Sequence, residues 1–408
     1  MNLGFYIILA AQFSSALADN ALLYAAIELL KNLNSPEWYT PILQQGFAVS
    51  FIVLAPFVGA FADALPKGRV MFISNSIKFF GCAAMLAGVH PILAYSLVGF
   101  GAAAYSPAKY GILVEYLPPG KLVLANSWME GLTVIAIILG AVISGLLLKP
   151  HFADIMLHWL NLSPINSPAK LAIAVTAALY VIAAVFNLYI PRIPIAHKMS
   201  NKNPVFLLTD FFRCFRLLWK DSLGQVSLAV TTLFWGASAT LRLVVLAWAW
   251  AVFKYDIETA AMLVAWVALG VTIGSIIAAR YVELEHSIKV LPVGISMGVL
   301  VILMIFVQNY FFAALLLIAI GMVGGYFVVP MNALLQHRGH RLMGAGNSIA
   351  VQNFNENLSM LAMLGLYALM GRFGLHINTI LLFFGLLISG LMAVLYRMHG
   401  HDQDDGQL

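Results

Sequence analysis

Residues 54–71 read LAPFVGAFADALPKGRVM. An apolar run reaches Asp63, a Leu65-Pro66 turn follows, and Lys67-Gly68-Arg69 leads straight into a second apolar run. A connection this short joins two antiparallel membrane spans, and its Lys and Arg mark a cytoplasmic loop. Gly59 lies one helical turn before Asp63. An acid at a helix end, facing a cation across a glycine loop, makes a charge-dependent latch between helices. Gly59, Asp63, Gly68 and Arg69 are therefore the candidate latch residues. The plainer reading is a routine topogenic basic loop.

The pattern of this stretch recurs along the chain. Apolar runs fall at about 3–31, 41–63, 69–89, 91–117, 122–149, 168–190, 222–250, 257–280, 287–307, 310–336, 343–371 and 375–397. Of the 408 residues, 62% are apolar and 10% charged, with a mean hydropathy of +0.91. An ordinary soluble domain carries roughly 25% charge, so a soluble enzyme is excluded. Twelve spans of ~20 residues take roughly 240 residues and leave no room for a separate soluble catalytic domain. The first apolar stretch opens at Leu3 without a basic segment before it, and reads as a first span, not as a cleaved signal peptide. Most of the 22 Lys and Arg fall in the segments that are cytoplasmic if both termini are inside, and this predicts that orientation.

The longest polar stretch, 191–221, follows the sixth run and contains the amphipathic piece PVFLLTDFFRCFRLLWK. Aligning Ala125-Asn126-Ser127 with Gly346-Asn347-Ser348 brings GFGAAAYSPAKYGIL of the fourth run near GMVGGYFVVPMNALL of the tenth. It also places Asp19 within one turn of Arg242. Weak identity with consistent charge placement predicts two related halves. The expected organisation is an all-α polytopic membrane protein with twelve transmembrane helices. It comprises a six-helix bundle at 1–190, a basic cytoplasmic linker at 191–221, a second six-helix bundle at 222–397 and a short cytoplasmic tail at 398–408.

An ionisable side chain at mid-bilayer costs about 2.5–3.5 kcal/mol on insertion scales and usually faces the bundle interior. Asp19 with Asn20, Lys109, Glu130, Arg242 and Glu356 all fall in such positions, and Lys78 is a weaker, more structural candidate. Asp19 reads as a charged cavity lining, or as one partner of an internal salt bridge. Arg242 presents a planar fork suited to phosphate, or pairs with Asp19 or Glu356. Lys109 follows Pro107, whose missing donor can open a helix; it is an anion contact or a snorkelling cation. Glu356 sits among Gln352, Asn353, Asn355 and Asn357, too many amides for a lipid-facing surface. Glu130 has Asn126 one turn away as a possible structural partner.

Neither a GxxxxGK[ST] nor an HExxH motif occurs, so nucleotide-driven pumping and zinc proteolysis are unsupported. Cys82 and Cys214 form no metal or disulfide pattern, and no cofactor or metal is implied. Basic residues cluster with aromatics only in 206–220, where membrane-surface contact is expected and nucleic acid is not.

Several strings together resemble the bacterial lysophospholipid transporter family of the major facilitator superfamily. They are SALADNALLYA (15–25), LAPFVGAFADALPKGRVM (54–71), VGFGAAAYSPAKYGIL (98–113), TLFWGASATLRLVV (232–245) and the long segment from Gly324 to Met360. The superfamily's loop motif usually places its glycine closer to the aspartate than Gly68 stands to Asp63. The resemblance implies inward movement of lysophospholipid, chiefly lysophosphatidylethanolamine, across the bacterial inner membrane by alternating access. An acyltransferase-synthetase on the cytoplasmic side would then restore the second acyl chain. It also implies that spans 1, 4, 7 and 10 line a central cavity; from the chemistry of the head group, Arg242 and Lys109 are expected on the phosphate and Asp19 or Glu356 on the ammonium. The alternative reading is a proton-coupled exporter of small amphiphiles, with Asp19 or Glu356 as proton carrier. A non-transporting scaffold or polytopic acyltransferase is opposed by the polar residues on several spans.

Overall fold

The computed structural model describes residues 2–36, 39–160, 166–194, 203–254 and 257–399. The chain is helical throughout these stretches: α1 (Leu3–Asn32), α2 (Tyr39–Ala64), α3 (Lys67–Leu86), α4 (Pro91–Tyr116), α5 (Leu122–Leu147), α6 (Pro150–Leu160) and α7 (Pro168–Leu188). The second half holds α8 (Pro204–Lys220), α9 (Ser222–Phe253), α10 (Ile257–Tyr281), α11 (Leu291–Leu303), α12 (Tyr310–Met343), α13 (Ala345–Arg372) and α14 (Ile377–His399). Twelve of these follow the twelve apolar runs, α11 being extended on both sides by 3-10 turns to span Leu284–Phe306. The other two are short: α6, and the amphipathic α8, which buries Phe211, Cys214 and Leu218 while exposing Arg213, Arg216 and Lys220. Residues 195–202 of the expected linker and 400–408 of the expected tail lie outside the described residues.

Nine helices among the described residues are long and apolar enough to cross a membrane by composition alone. The other three long helices, α3, α4 and α13, carry Lys78, Lys109 and Glu356 respectively, with many of the amides. Their low hydropathy has a physical cause: their polar residues are turned into protein, and hydropathy counts them as if they met lipid. Pro107 does not break α4, which runs unbroken from Pro91 to Tyr116.

The contacts divide the chain into two compact units, one of residues 1–116, 132–214 and 343–353, the other of 117–131, 215–342 and 354–408. In the first, α3 packs on α4 and α7, α1 on α7 and α2 on α4, around Ala18, Leu22, Met85, Tyr95, Ala172 and Tyr180. In the second, α9 contacts α10 and α14, and α11 packs on α14.

Hydrocarbon supplies no hydrophobic drive between helices, so they associate by close backbone packing and internal hydrogen bonds. The second unit shows both. Gly270 and Gly274 of α10 face the Ile318 and Met322 carbonyls of α12, while Gly321 and Gly325 of α12 face those of Val267 and Val271 on α10. A methyl group at any of the four would overlap the opposite backbone. Asn126 of α5 and Gln336 of α12 exchange two amide hydrogen bonds of 2.9 and 2.8 Å, both side chains being buried. Ser127 donates to the Ser275 carbonyl at 2.8 Å. At the start of α9, Asp221 accepts from the Gly224 amide at 2.9 Å and takes both arms of Arg338 at 2.9 and 2.7 Å. Burial pushes the Asp221 carboxyl up, but these bonds outweigh it and hold it below its ordinary value.

Replacing Gly274 with Leu is expected to force α10 from α12 and cost about 1–3 kcal/mol or more. Gly145 of α5, which has open space around it, should accept Ala without loss. Thermal unfolding of the purified protein in detergent distinguishes the two.

Candidate functional site

Two buried charge clusters stand out, both in the first unit. The first is built on α1, which places Ser15 and Asp19 one turn apart on one face. From α3, Lys78 reaches both Asp19 oxygens at 2.9 Å and the Ser15 hydroxyl at 3.1 Å. Tyr180 of α7 donates to Asp19 Oδ1 at 2.7 Å, and Ser15 donates to Asn75 Oδ1 at 2.8 Å. The Lys78 ammonium also lies 4.8 Å from the Tyr105 ring centre and 5.5 Å from that of Tyr180, a cation–π arrangement strengthened by desolvation. Lys78 is 1% exposed, whereas the Asp19 side chain keeps 25% of its surface. Asn20 donates to the Ala16 carbonyl at 2.8 Å, and a Cβ on Gly140 would lie 2.8 Å from the Asn20 Cβ, which marks the close approach of α1 and α5.

The second cluster is at the end of α2. Lys67 bonds Asp63 Oδ1 at 2.6 Å and the Ala62 carbonyl at 2.8 Å, and pairs with Glu115 of α4 at 3.2 Å. Asp63 also accepts the Gly346 amide at 2.8 Å on Oδ1 and the Asn347 amide at 3.1 Å on Oδ2. These are unsatisfied donors of the first turn of α13, where the helix dipole favours an anion. Gly344 ends α12 with φ +92°, a left-handed conformation that glycine adopts freely, and so lets a new helix start at Ala345. Gly59 and Gly346 make the approach possible: a Cβ on Gly59 would lie 2.7 Å from Asn347 Oδ1, and one on Gly346 would overlap the Gly59 carbonyl. Gly68 is equally confined, 2.8 Å from the Asn187 carbonyl at its would-be Cβ. Arg69 is exposed, and the cation at Asp63 is Lys67.

The remaining candidates lie outside these two clusters. Lys109 is half-buried with its ammonium 4.5 Å from the Tyr110 ring centre. Glu130 and Glu356 are buried in the second unit. Arg242, in the middle of α9, is exposed and makes no hydrogen bond or ion pair among the described residues. In the amide-rich segment of α13, Asn353 Nδ2 donates to the Ser106 hydroxyl at 2.9 Å. Sequence reasoning took Lys78 as a structural residue without its partner Asp19, and did not single out Tyr180, Ser15, Glu115 or the Gly346 and Asn347 backbone amides. A lysine in mid-span was the available signal for the first; the others are visible only in three dimensions.

Residues 8–356 match the Major Facilitator Superfamily. Over 368 residues the chain is 46% identical to the lysophospholipid transporter LplT of Yersinia pestis, covering 90% of this chain and 86% of that protein. Among solved structures, the human organic anion transporter MFSD10 superposes with a TM-score of 0.73 at 13% identity, over 98% of this chain and 100% of that one. The E. coli fucose:proton symporter FucP gives 0.72 at 12% identity, over 97% and 98%. Both likenesses speak to the fold, and they agree with twelve membrane-spanning helices in the arrangement of that superfamily. This multi-pass membrane chain, with no enzyme among those relatives, belongs to the major facilitator superfamily and, within it, to the lysophospholipid transporter family.

Proposed function

We propose that this protein moves lysophospholipids, chiefly lysophosphatidylethanolamine, inward across the bacterial inner membrane by alternating access between the halves 1–190 and 222–397. An acyltransferase-synthetase on the cytoplasmic side then reacylates them. The observation that carries the reading is the 46% identity to a lysophospholipid transporter over nine-tenths of the chain. The chemistry of the spans supports it. A lysophosphatidylethanolamine head group has a phosphate anion and an ammonium. Arg242, exposed and without an ion-pair partner among the described residues, is suited to the phosphate, with Lys109 beside it in role. Asp19 with Asn20, or Glu356, takes the ammonium; Glu130 adds a further buried carboxylate on α5. Both termini are cytoplasmic in this reading, from the distribution of Lys and Arg.

The latch read from Gly59, Asp63, Gly68 and Arg69 favours one state of the transport cycle, with Lys67 and the Gly346 and Asn347 backbone amides, in place of Arg69, as the partners of Asp63. Charge-assisted bonds of this kind contribute about 1.5–3 kcal/mol each, enough to shift a two-state population roughly tenfold or more.

Spheroplasts lacking their own transporter and expressing this chain test the proposal through uptake and reacylation of labelled lysophosphatidylethanolamine. Wild-type protein should restore uptake, and well-expressed protein that fails to do so would sink the lysophospholipid reading. Arg242→Ala should lower uptake by roughly tenfold or more, the loss of a charge-assisted contact, and Arg242→Lys should recover part of it. An uncoupler added to the same cells reports whether a proton gradient drives the movement. Asp63→Asn should slow initial uptake roughly tenfold, while Arg69→Ala, whose side chain is exposed, should fall less.

A further inference from the structure

The carboxylate of Asp19 is not a bare anion. Lys78 spends its three protons on Asp19 Oδ1, Asp19 Oδ2 and the Ser15 hydroxyl, and two tyrosine rings close over it. At 1% exposure it has no face left for a ligand. Asp19 is different. Among the described residues its Oδ1 accepts from Lys78 and Tyr180, whereas Oδ2 accepts from Lys78 alone, and a quarter of the side chain stays open. A carboxylate has about four lone-pair sites, so Oδ2 can take one more donor without giving up Lys78. The pair therefore offers an acceptor edge whose net charge is zero.

We propose that Lys78 is a specificity-determining residue: a buried counter-ion that cancels the charge of Asp19, so that a head group is admitted, at the part of the Asp19 carboxylate left open, by its hydrogen-bond donors and not by its net charge. The inference rests on the lysophospholipid reading and adds to it the residue that sets charge selectivity. With Lys78 in place, a zwitterionic phosphoethanolamine head and an anionic phosphoglycerol head meet the same neutral edge, and each brings a donor, an ammonium or a hydroxyl. Without the lysine charge, the uncompensated carboxylate repels the anionic head more than the zwitterion. Without the aspartate charge, the uncompensated ammonium does the opposite. A single unit charge a few ångströms away in a protein interior shifts such a preference by roughly tenfold or more.

The test compares uptake of two lysolipids, one with a phosphoethanolamine head and one with a phosphoglycerol head, in the spheroplasts described above. The readout is the glycerol-to-ethanolamine ratio. Relative to wild type, Lys78→Met should lower it roughly tenfold and Asp19→Asn should raise it, while Lys78→Arg and the double variant Asp19→Asn/Lys78→Met should leave it near the wild-type value. The opposite signs of the two single variants separate charge selectivity from loss of structure, which lowers both lipids together. Ratios that stay at the wild-type value, or that move in one direction in both single variants, overturn the role of Lys78. Single variants that both fail to reach the membrane, while the double variant does reach it, mark the pair as structural and overturn it too. Wild-type protein that moves neither lipid overturns the lysophospholipid reading itself, an outcome distinct from an unchanged ratio.

Discussion

Hydrocarbon offers no hydrogen bond, so a charged or amide group in a span is costly unless it meets a partner in the protein or lines a polar cavity, and the buried pairs of this chain answer that requirement. Asp19 and Lys78 meet across α1 and α3 because each would otherwise be an uncompensated charge, whose burial costs far more than the pair's own geometry. The amides follow the same rule. Asn126 and Gln336 satisfy one another, as do Ser106 and Asn353, and these contacts fix helix rotation more sharply than apolar packing does.

Close approach is the second half of the same constraint. Where two helices must touch without a hydrophobic drive, side chains have to be absent, and the paired glycines of α10 and α12 let carbonyls sit where Cβ atoms would stand. Gly59 and Gly346 use the same device for a different end. They bring a carboxylate against the amides that open a helix, which converts a packing contact into an electrostatic one.

The spans were legible because lipid imposes length and hydropathy on sequence directly, and the twelve apolar runs match twelve helical segments to within a few residues. Even α3, α4 and α13, whose polar content lowers their hydropathy, were visible as runs between loop residues. Asp63 and its glycine could be read from the loop spacing, since an acid one turn after a glycine at a helix end is local information. Its cation could not. Lys67 directly follows the Leu65-Pro66 turn and Arg69 stands two residues further on, and only the first turn of α3 decides that Lys67 points back to Asp63 while Arg69 points out. Nor could Lys78 be assigned to Asp19, because pairing across 59 residues depends on helix rotation, to which composition is blind. The amphipathic α8 shows the reverse case: its two faces are written in PVFLLTDFFRCFRLLWK itself.

The two aspartates differ in the mobility of what holds them. Asp63 is held partly by backbone: two amides one residue apart aim at its two oxygens, and both belong to the rigid start of α13. A displacement of that helix end loses both bonds together, so the contact is either made or broken, which is what a latch between conformational states requires. Asp19 is held by a lysine on a flexible four-carbon stem with three rotatable donors, together with a tyrosine hydroxyl. Such a partner follows the carboxylate through small movements and keeps its charge compensated throughout. In the proposed cycle one carboxylate reports helix position, and the other stays neutral toward its surroundings while the helices move.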